Sequence, residues 1–133
     1  MVRQQLGWPD ESLQIRQLHE GQGPGNVVTI EIGSEHVTEV FTGFGQRGVR
    51  AEAVAADAVG QAKKYLADQV PIGEHLADQL LLPFAMAGGG AFVTCALTRH
   101  STTNIDVIGR FLEVAVDVRE VEKGKWKVEF GRG

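Results

Sequence analysis

The stretch Gly73-Glu74-His75-Leu76-Ala77-Asp78-Gln79-Leu80-Leu81-Leu82-Pro83-Phe84-Ala85-Met86-Ala87-Gly88-Gly89-Gly90-Ala91-Phe92-Val93-Thr94-Cys95 decides the fold. Residues 74–87 predict a helix, bent near Pro83 because proline lacks the N–H of an internal hydrogen bond. The glycine run 88–90 stops it. Ala91–Cys95 then predicts a short buried strand. Downstream, Thr103-Asn104-Ile105-Asp106 has the spacing of a capping box, with Asp in place of the usual Glu, and predicts a short helix ending near Gly109-Arg110. Glu113–Arg119 and Lys125–Phe130 predict a hairpin that turns at Lys123-Gly124.

Upstream, Arg50–Leu66 predicts an amphipathic helix. Ala51, Val54, Ala55, Ala58, Val59, Ala62, Tyr65 and Leu66 recur at helical steps and line one face. Val27–Ile32 and Glu35–Phe41 predict two strands joined by Gly33-Ser34, a glycine-first pair that suits a type II′ hairpin. Gly23-Pro24-Gly25-Asn26 is turn chemistry, and a further strand is expected around Leu13–Leu18. The order is β-β-β-α followed by α-β-α-β-β, with a boundary at Ala67–Gly73. The fold class expected is α/β, an α+β sandwich made of parts of two small α/β units, residues 1–70 and 71–133.

The chain has 133 residues, 23% of them charged, with a net charge of -4. That balance excludes a protein that coats nucleic acid through bulk positive charge, but not one that grips a single RNA end. The lone Cys95 rules out an internal disulfide and argues against a cysteine-based zinc site, so no metal ligands are assigned. The apolar run Leu80–Ala87 contains a proline and is too short to span a bilayer. No charged-then-apolar leader opens the sequence. A cytoplasmic protein without a membrane partner is expected.

Three constellations could carry chemistry. Gly43-Phe44-Gly45-Gln46-Arg47-Gly48 fits the dinucleotide fingerprint and has Asp68 about twenty residues on. The strand before it alternates polar residues, whereas a central parallel strand is apolar throughout, so a plain turn is expected. In the 74–87 helix, His75, Asp78, Gln79 and Leu82 share a stripe able to stack on a base and hydrogen-bond its edge. Leu76, Leu80, Pro83 and Phe84 are expected on the opposite, core-facing side. The third is His100, placed just before the helix predicted from Thr103. That helix start would attract a phosphate through its N–H groups and dipole, beside a potential nucleophile. Each also has a plainer reading, as a solvated helix face and as a loop histidine. His19 and His36 are expected to be solvent-facing or structural, and Cys95 to be strand core.

Taken together, Gly23–Asn26, Glu35-His36-Val37-Thr38-Glu39-Val40-Phe41-Thr42-Gly43-Phe44-Gly45-Gln46-Arg47-Gly48-Val49, Gly73–Pro83, and His100 followed by Thr103-Asn104-Ile105 resemble the RNA 3′-terminal phosphate cyclase family, over about Trp8 to Val118. The resemblance implies ATP-dependent conversion of an RNA 3′-phosphate end to a 2′,3′-cyclic phosphate through a histidine–AMP intermediate. It places the nucleophile on His100 and the adenosine-binding motif on His75, Leu76, Ala77, Asp78 and Gln79. His75 stands where relatives often carry tyrosine, and Ser101 and Thr102 where they commonly carry leucines. The resemblance further implies a divalent metal, Mg or Mn, with ligands mostly outside this chain. Family members are more than twice this length, built from βαβαββ units with an inserted domain. Residues 1–70 resemble the end of the inserted domain and residues 71–133 the second half of the last repeat. The missing N-terminal portion or self-association is the expected partner. The family also has non-catalytic relatives in ribosome assembly, so an interaction module is the alternative.

Overall fold

A computed structural model of the chain describes residues 1–19 and 25–133. The chain divides into two compact units, Met1–Ala67 and Asp68–Gly133. Helices combine with two small antiparallel sheets, the mixed α/β class expected.

In the first unit, strands β1 (Val27–Gly33) and β2 (Thr38–Phe44) form an antiparallel hairpin in which Ile30 faces Phe41. The expected turn at Gly33-Ser34 is replaced by a longer loop. Gly33 pairs with Thr38, and the Ser34 backbone N–H donates to the Val37 carbonyl at 2.8 Å. The Ser34 hydroxyl donates to the same carbonyl at 2.9 Å. One acceptor taking both donors stabilises this loop over the tighter turn.

Helix α1 (Val2–Leu6) precedes the hairpin, and α2 (Ala51–Asp68) follows it. Ile30 and Phe41 bury against Ala58, Val59 and Ala62 of α2, with Val2, Leu6, Trp8 and Tyr65 packed around them. Ala51 and Leu66, expected on this face, are exposed at the ends of the helix. The alanines keep α2 close to the sheet: a Cβ at Gly43 would collide with the backbone carbonyl of Val54. That close approach, on an antiparallel strand, accounts for the first glycine of the 43–48 pattern by packing. The strand expected at Leu13–Leu18 does not form. Ile15 and Leu18 are exposed and make no ladder with a described strand, so nothing there rewards an extended backbone. Of the 23–26 turn, Gly23 and Pro24 lie outside the described residues. Asn26 accepts the Gly45 N–H at 2.7 Å.

The second unit is a three-stranded antiparallel sheet of order β3-β5-β4 (Gly90–Thr94, Lys125–Arg132, Val114–Glu122) with helices α3 (Glu74–Ala87) and α4 (Arg99–Phe111). The two helices pack on each other, and α3 also meets β3 and β5. Ile72 bridges Thr94 in parallel, so the chain enters α3 alongside β3. Helix α3 runs through Pro83 to Gly88, which caps it in the left-handed region at φ 70. Gly90 has φ 122, and a Cβ there would strike the Phe84 ring. Its absence lets Phe84 approach Phe92 and Phe130, with ring centroids 5.5 and 5.7 Å away.

The buried stripe of α3 is Ala77, Leu81 and Ala85. Leu76, Leu80 and Phe84 are half-buried and Pro83 is exposed, so the core face is turned by one position from the expected one. Ala77 and Ala85 flank the fully buried Leu81 on this stripe, small residues that suit a helix held close to both a sheet and a second helix. Leu81 and Val128 are fully buried at the centre of this unit.

Candidate functional site

Helix α4 begins earlier than the Thr103 capping box predicts. Thr98 is the N-cap: its Oγ1 accepts the Ser101 N–H at 3.2 Å and lies 3.2 Å from the Ser101 hydroxyl. The Thr98 carbonyl takes the Thr102 N–H at 3.0 Å. The Thr98 side chain therefore satisfies one of the orphan first-turn donors, and its carbonyl accepts the first bond of the helix ladder. The longer helix also buries Ser101 and Ile108, positions a start at Thr103 would not align on one face. His100 thus lies within the first turn of α4 and not in the preceding loop. Its backbone is fixed by the helix, and it shares a face with Asn104, four residues on.

That face meets Asp78 of α3. His100 Nδ1 lies 3.0 Å from Asp78 Oδ2, and Asn104 Nδ2 donates to Asp78 Oδ1 at 3.3 Å. The Asp78 side chain is 24% exposed and that of His100 is 80% exposed. A partly sheltered carboxylate therefore holds an open imidazole by Nδ1, and Nε2 is the ring nitrogen left for chemistry. When one ring nitrogen carries the proton toward a carboxylate, the other keeps its lone pair.

The remaining motif residues divide by depth. His75 is exposed, with Nε2 3.7 Å from Glu74 Oε1, and Gln79 is exposed one turn on. Leu76 is half-buried, and Ala77 is fully buried in the core, where it sets the spacing and offers no side chain to a ligand. The stripe His75–Asp78–Gln79–Leu82 is thus split. Asp78 turns to α4, while His75, Gln79 and Leu82 face outward. Cys95 is buried beside Thr94, its Sγ 3.9 Å from the Thr94 hydroxyl. Asn104 was reached in the sequence only as part of a cap and a family motif. Its i, i+4 spacing from His100 was the available signal. Among the described residues no group of three or more His, Cys, Asp or Glu side chains converges to hold a metal ion. None of the described helices is long and apolar enough to cross a membrane.

The family described as RNA 3′-terminal phosphate cyclase matches residues 7–118, most of the chain. The chain belongs to the RNA 3′-terminal phosphate cyclase family. It is 46% identical over 132 residues to the RNA 3′-terminal phosphate cyclase of Ectopseudomonas mendocina (strain ymp), covering 99% of this chain and 39% of that protein. It is 49% identical over 105 residues to the cyclase of Ralstonia nicotianae (strain ATCC BAA-1114 / GMI1000), covering 79% of this chain and 30% of the relative. The cyclase of Koribacter versatilis (strain Ellin345) is 46% identical over 117 residues, with 88% and 33% covered. The chain spans about two fifths or less of these cyclases.

Proposed function

We propose that this chain carries the nucleophile and part of the adenosine pocket of an RNA 3′-terminal phosphate cyclase. The single observation that carries the reading is the 3.0 Å approach of Asp78 Oδ2 to His100 Nδ1 from a neighbouring helix. Asp78 holds the proton of the neutral ring on Nδ1 and turns the Nε2 lone pair outward. Nε2 attacks the α-phosphorus of ATP, the N–P bond forms, and the bond to pyrophosphate breaks. An oxygen of the RNA 3′-phosphate then attacks the same phosphorus and the N–P bond breaks, regenerating His100. The vicinal 2′-hydroxyl attacks the activated 3′-phosphorus, loses its proton, and expels AMP to close the cyclic phosphate.

His75 and Gln79, exposed on consecutive turns of α3, supply a ring face for the base and an amide for its edge. A divalent metal would aid the departure of pyrophosphate, but the described residues do not group to hold one, and no step here runs through it. Residues 1–70 correspond in this reading to the end of the family's inserted domain, and residues 71–133, in α-β-α-β-β order, to the C-terminal part of its last βαβαββ repeat. The working protein is cytoplasmic and needs a partner, either the remaining cyclase portion or a second copy. Leu82 and Met86 of α3 and Val107 and Phe111 of α4 are exposed by 49, 73, 45 and 81%, apolar surface suited to such a partner.

The test is incubation with α-labelled ATP and divalent metal, with and without a separately supplied N-terminal portion of a cyclase. Acid-labile label is expected on the chain in the mixture, lost in His100→Ala and retained in Cys95→Ala. No label under either condition refutes the catalytic reading. RNA or protein capture indifferent to nucleotide would then favour the non-catalytic interaction module, which the exposed apolar residues also suit.

A further inference from the structure

We propose that Asn104 is a positioning residue for His100, acting through Asp78. The inference rests on the reading of His100 as the nucleophile, but its geometry is independent of ATP. His100 is 80% exposed, so packing does not hold its ring. What sets the ring is the carboxylate, and a carboxylate terminates a torsion with a broad, two-fold preference. Free rotation of that group would swing Oδ2 away from Nδ1. Asn104 opposes this by donating from Nδ2 to the other oxygen, Oδ1, at 3.3 Å. Since a carboxylate only accepts, the amide must present its NH2 group to Asp78.

The three side chains form a line: amide, carboxylate, imidazole. Both ends come from one face of α4, at positions 100 and 104, and the middle comes from α3. With both backbones on a single helix turn, Asp78 is held from Asn104 and in turn holds the His100 ring. The amide fixes the plane of the carboxylate, so that one of its two equivalent oxygens stays directed at His100 Nδ1. In doing so it holds the proton of the neutral imidazole on Nδ1 and keeps Nε2 free. A histidine side chain in water otherwise favours the proton on Nε2, the tautomer in which that nitrogen cannot attack.

The measurement is the tautomer of His100 in the 15N-labelled chain, read from long-range proton–nitrogen correlations of the ring. It is made at roughly pH 8.5, well above the ordinary histidine range. The four histidines are separated by comparison with His100→Ala. The parent chain is expected to hold mostly the Nδ1–H form. Asn104→Ala should lower the ratio of Nδ1–H to Nε2–H by roughly three- to tenfold, the population equivalent of one net hydrogen bond. Asp78→Ala should remove the bias. Asn104→Gln, which keeps the donor on a longer stem, should restore part of it. Alanine is a good helix former, and unchanged amide signals for Ser101 and Thr102 verify that α4 is intact. An Asn104→Ala ratio equal to the parent's, while Asp78→Ala shifts it, overturns the assignment to Asn104. No shift in either variant overturns the whole line. A shift in both, in a chain that takes no label from ATP, supports the positioning and refutes the cyclase chemistry instead.

Discussion

The two units use polar residues in opposite ways. In Met1–Ala67 the glycine pattern that looks chemical is absorbed by packing, and a carboxylate is buried. Gly43 lies under the Val54 carbonyl, and Glu39 is buried at 3% on the same strand face as Phe41. In Asp68–Gly133, His100, Asp78 and Asn104 come from two helices and meet at the surface, outside the core of Leu81, Val128 and Phe130. The contrast teaches that motif spacing within one strand and turn is weak evidence of a site. Convergence of side chains from two separate elements is stronger, because neither local structure nor core packing requires it.

The largest expected effect strikes the convergence directly. Asp78→Ala should lower the proposed adenylation of His100 by roughly 10²- to 10⁴-fold, the scale seen when a catalytic histidine loses the carboxylate that sets its tautomer. Single-turnover labelling measures it, and a loss under tenfold would place Asp78 with the merely structural polar groups of the first unit. Leu81→Ala tests the core beneath. Full burial predicts a loss of about 2–5 kcal/mol in urea unfolding, with the folded fraction still able to pair His100 and Asp78.

A smaller effect is expected at the start of α4. Thr98→Ala removes the cap on Ser101 and should cost about 1 kcal/mol. If adenylation falls along with stability, the first turn of α4 is part of the positioning of His100.

The smallest effect belongs to the first unit. Tyr65 is the chain's single tyrosine, and burial first, then the nearby Glu39 charge, raises its phenol above the ordinary value of 10.0. The folded protein therefore favours the neutral phenol. Its contribution is complete below the unfolded value and is lost as pH rises through the folded one. Tyrosinate absorbance should appear at higher pH in the folded chain than in urea. Glu39→Gln should recover only part of the difference, because burial is the larger cause. Full recovery would mean that Tyr65 senses charge and not the core.

Much of this architecture was legible from periodicity and punctuation. The helix at 51–68 was readable because its alanines and valines recur at helical steps, and the strand at 90–94 because glycines isolate it. The departures from the sequence expectation have a common form. The 33–34 turn, the Thr103 cap and the core face of α3 are each locally favourable patterns displaced by a competing contact, a few residues away in the first two and on packed neighbours in the third. Ser34 found a better acceptor in Val37, Thr98 capped α4 a turn earlier, and Ala77 took the place expected for Leu76 because α3 needed a small residue against its neighbours.

By itself, the sequence determined the mixed class, the order of the elements after Val27, the family, and the identity of His100 and Asp78 as residues to watch. Those depend on spacing along one chain, which a sequence displays. Only the tertiary structure decided that Asp78 turns away from His75 and Gln79 to hold His100 by Nδ1, with Asn104 on its other oxygen. Asp78 and Asn104 are 26 residues apart, and their meeting follows from how α3 packs on α4. That packing is set by buried volume at Ala77, Leu81, Ser101 and Ile108, and no local periodicity encodes it.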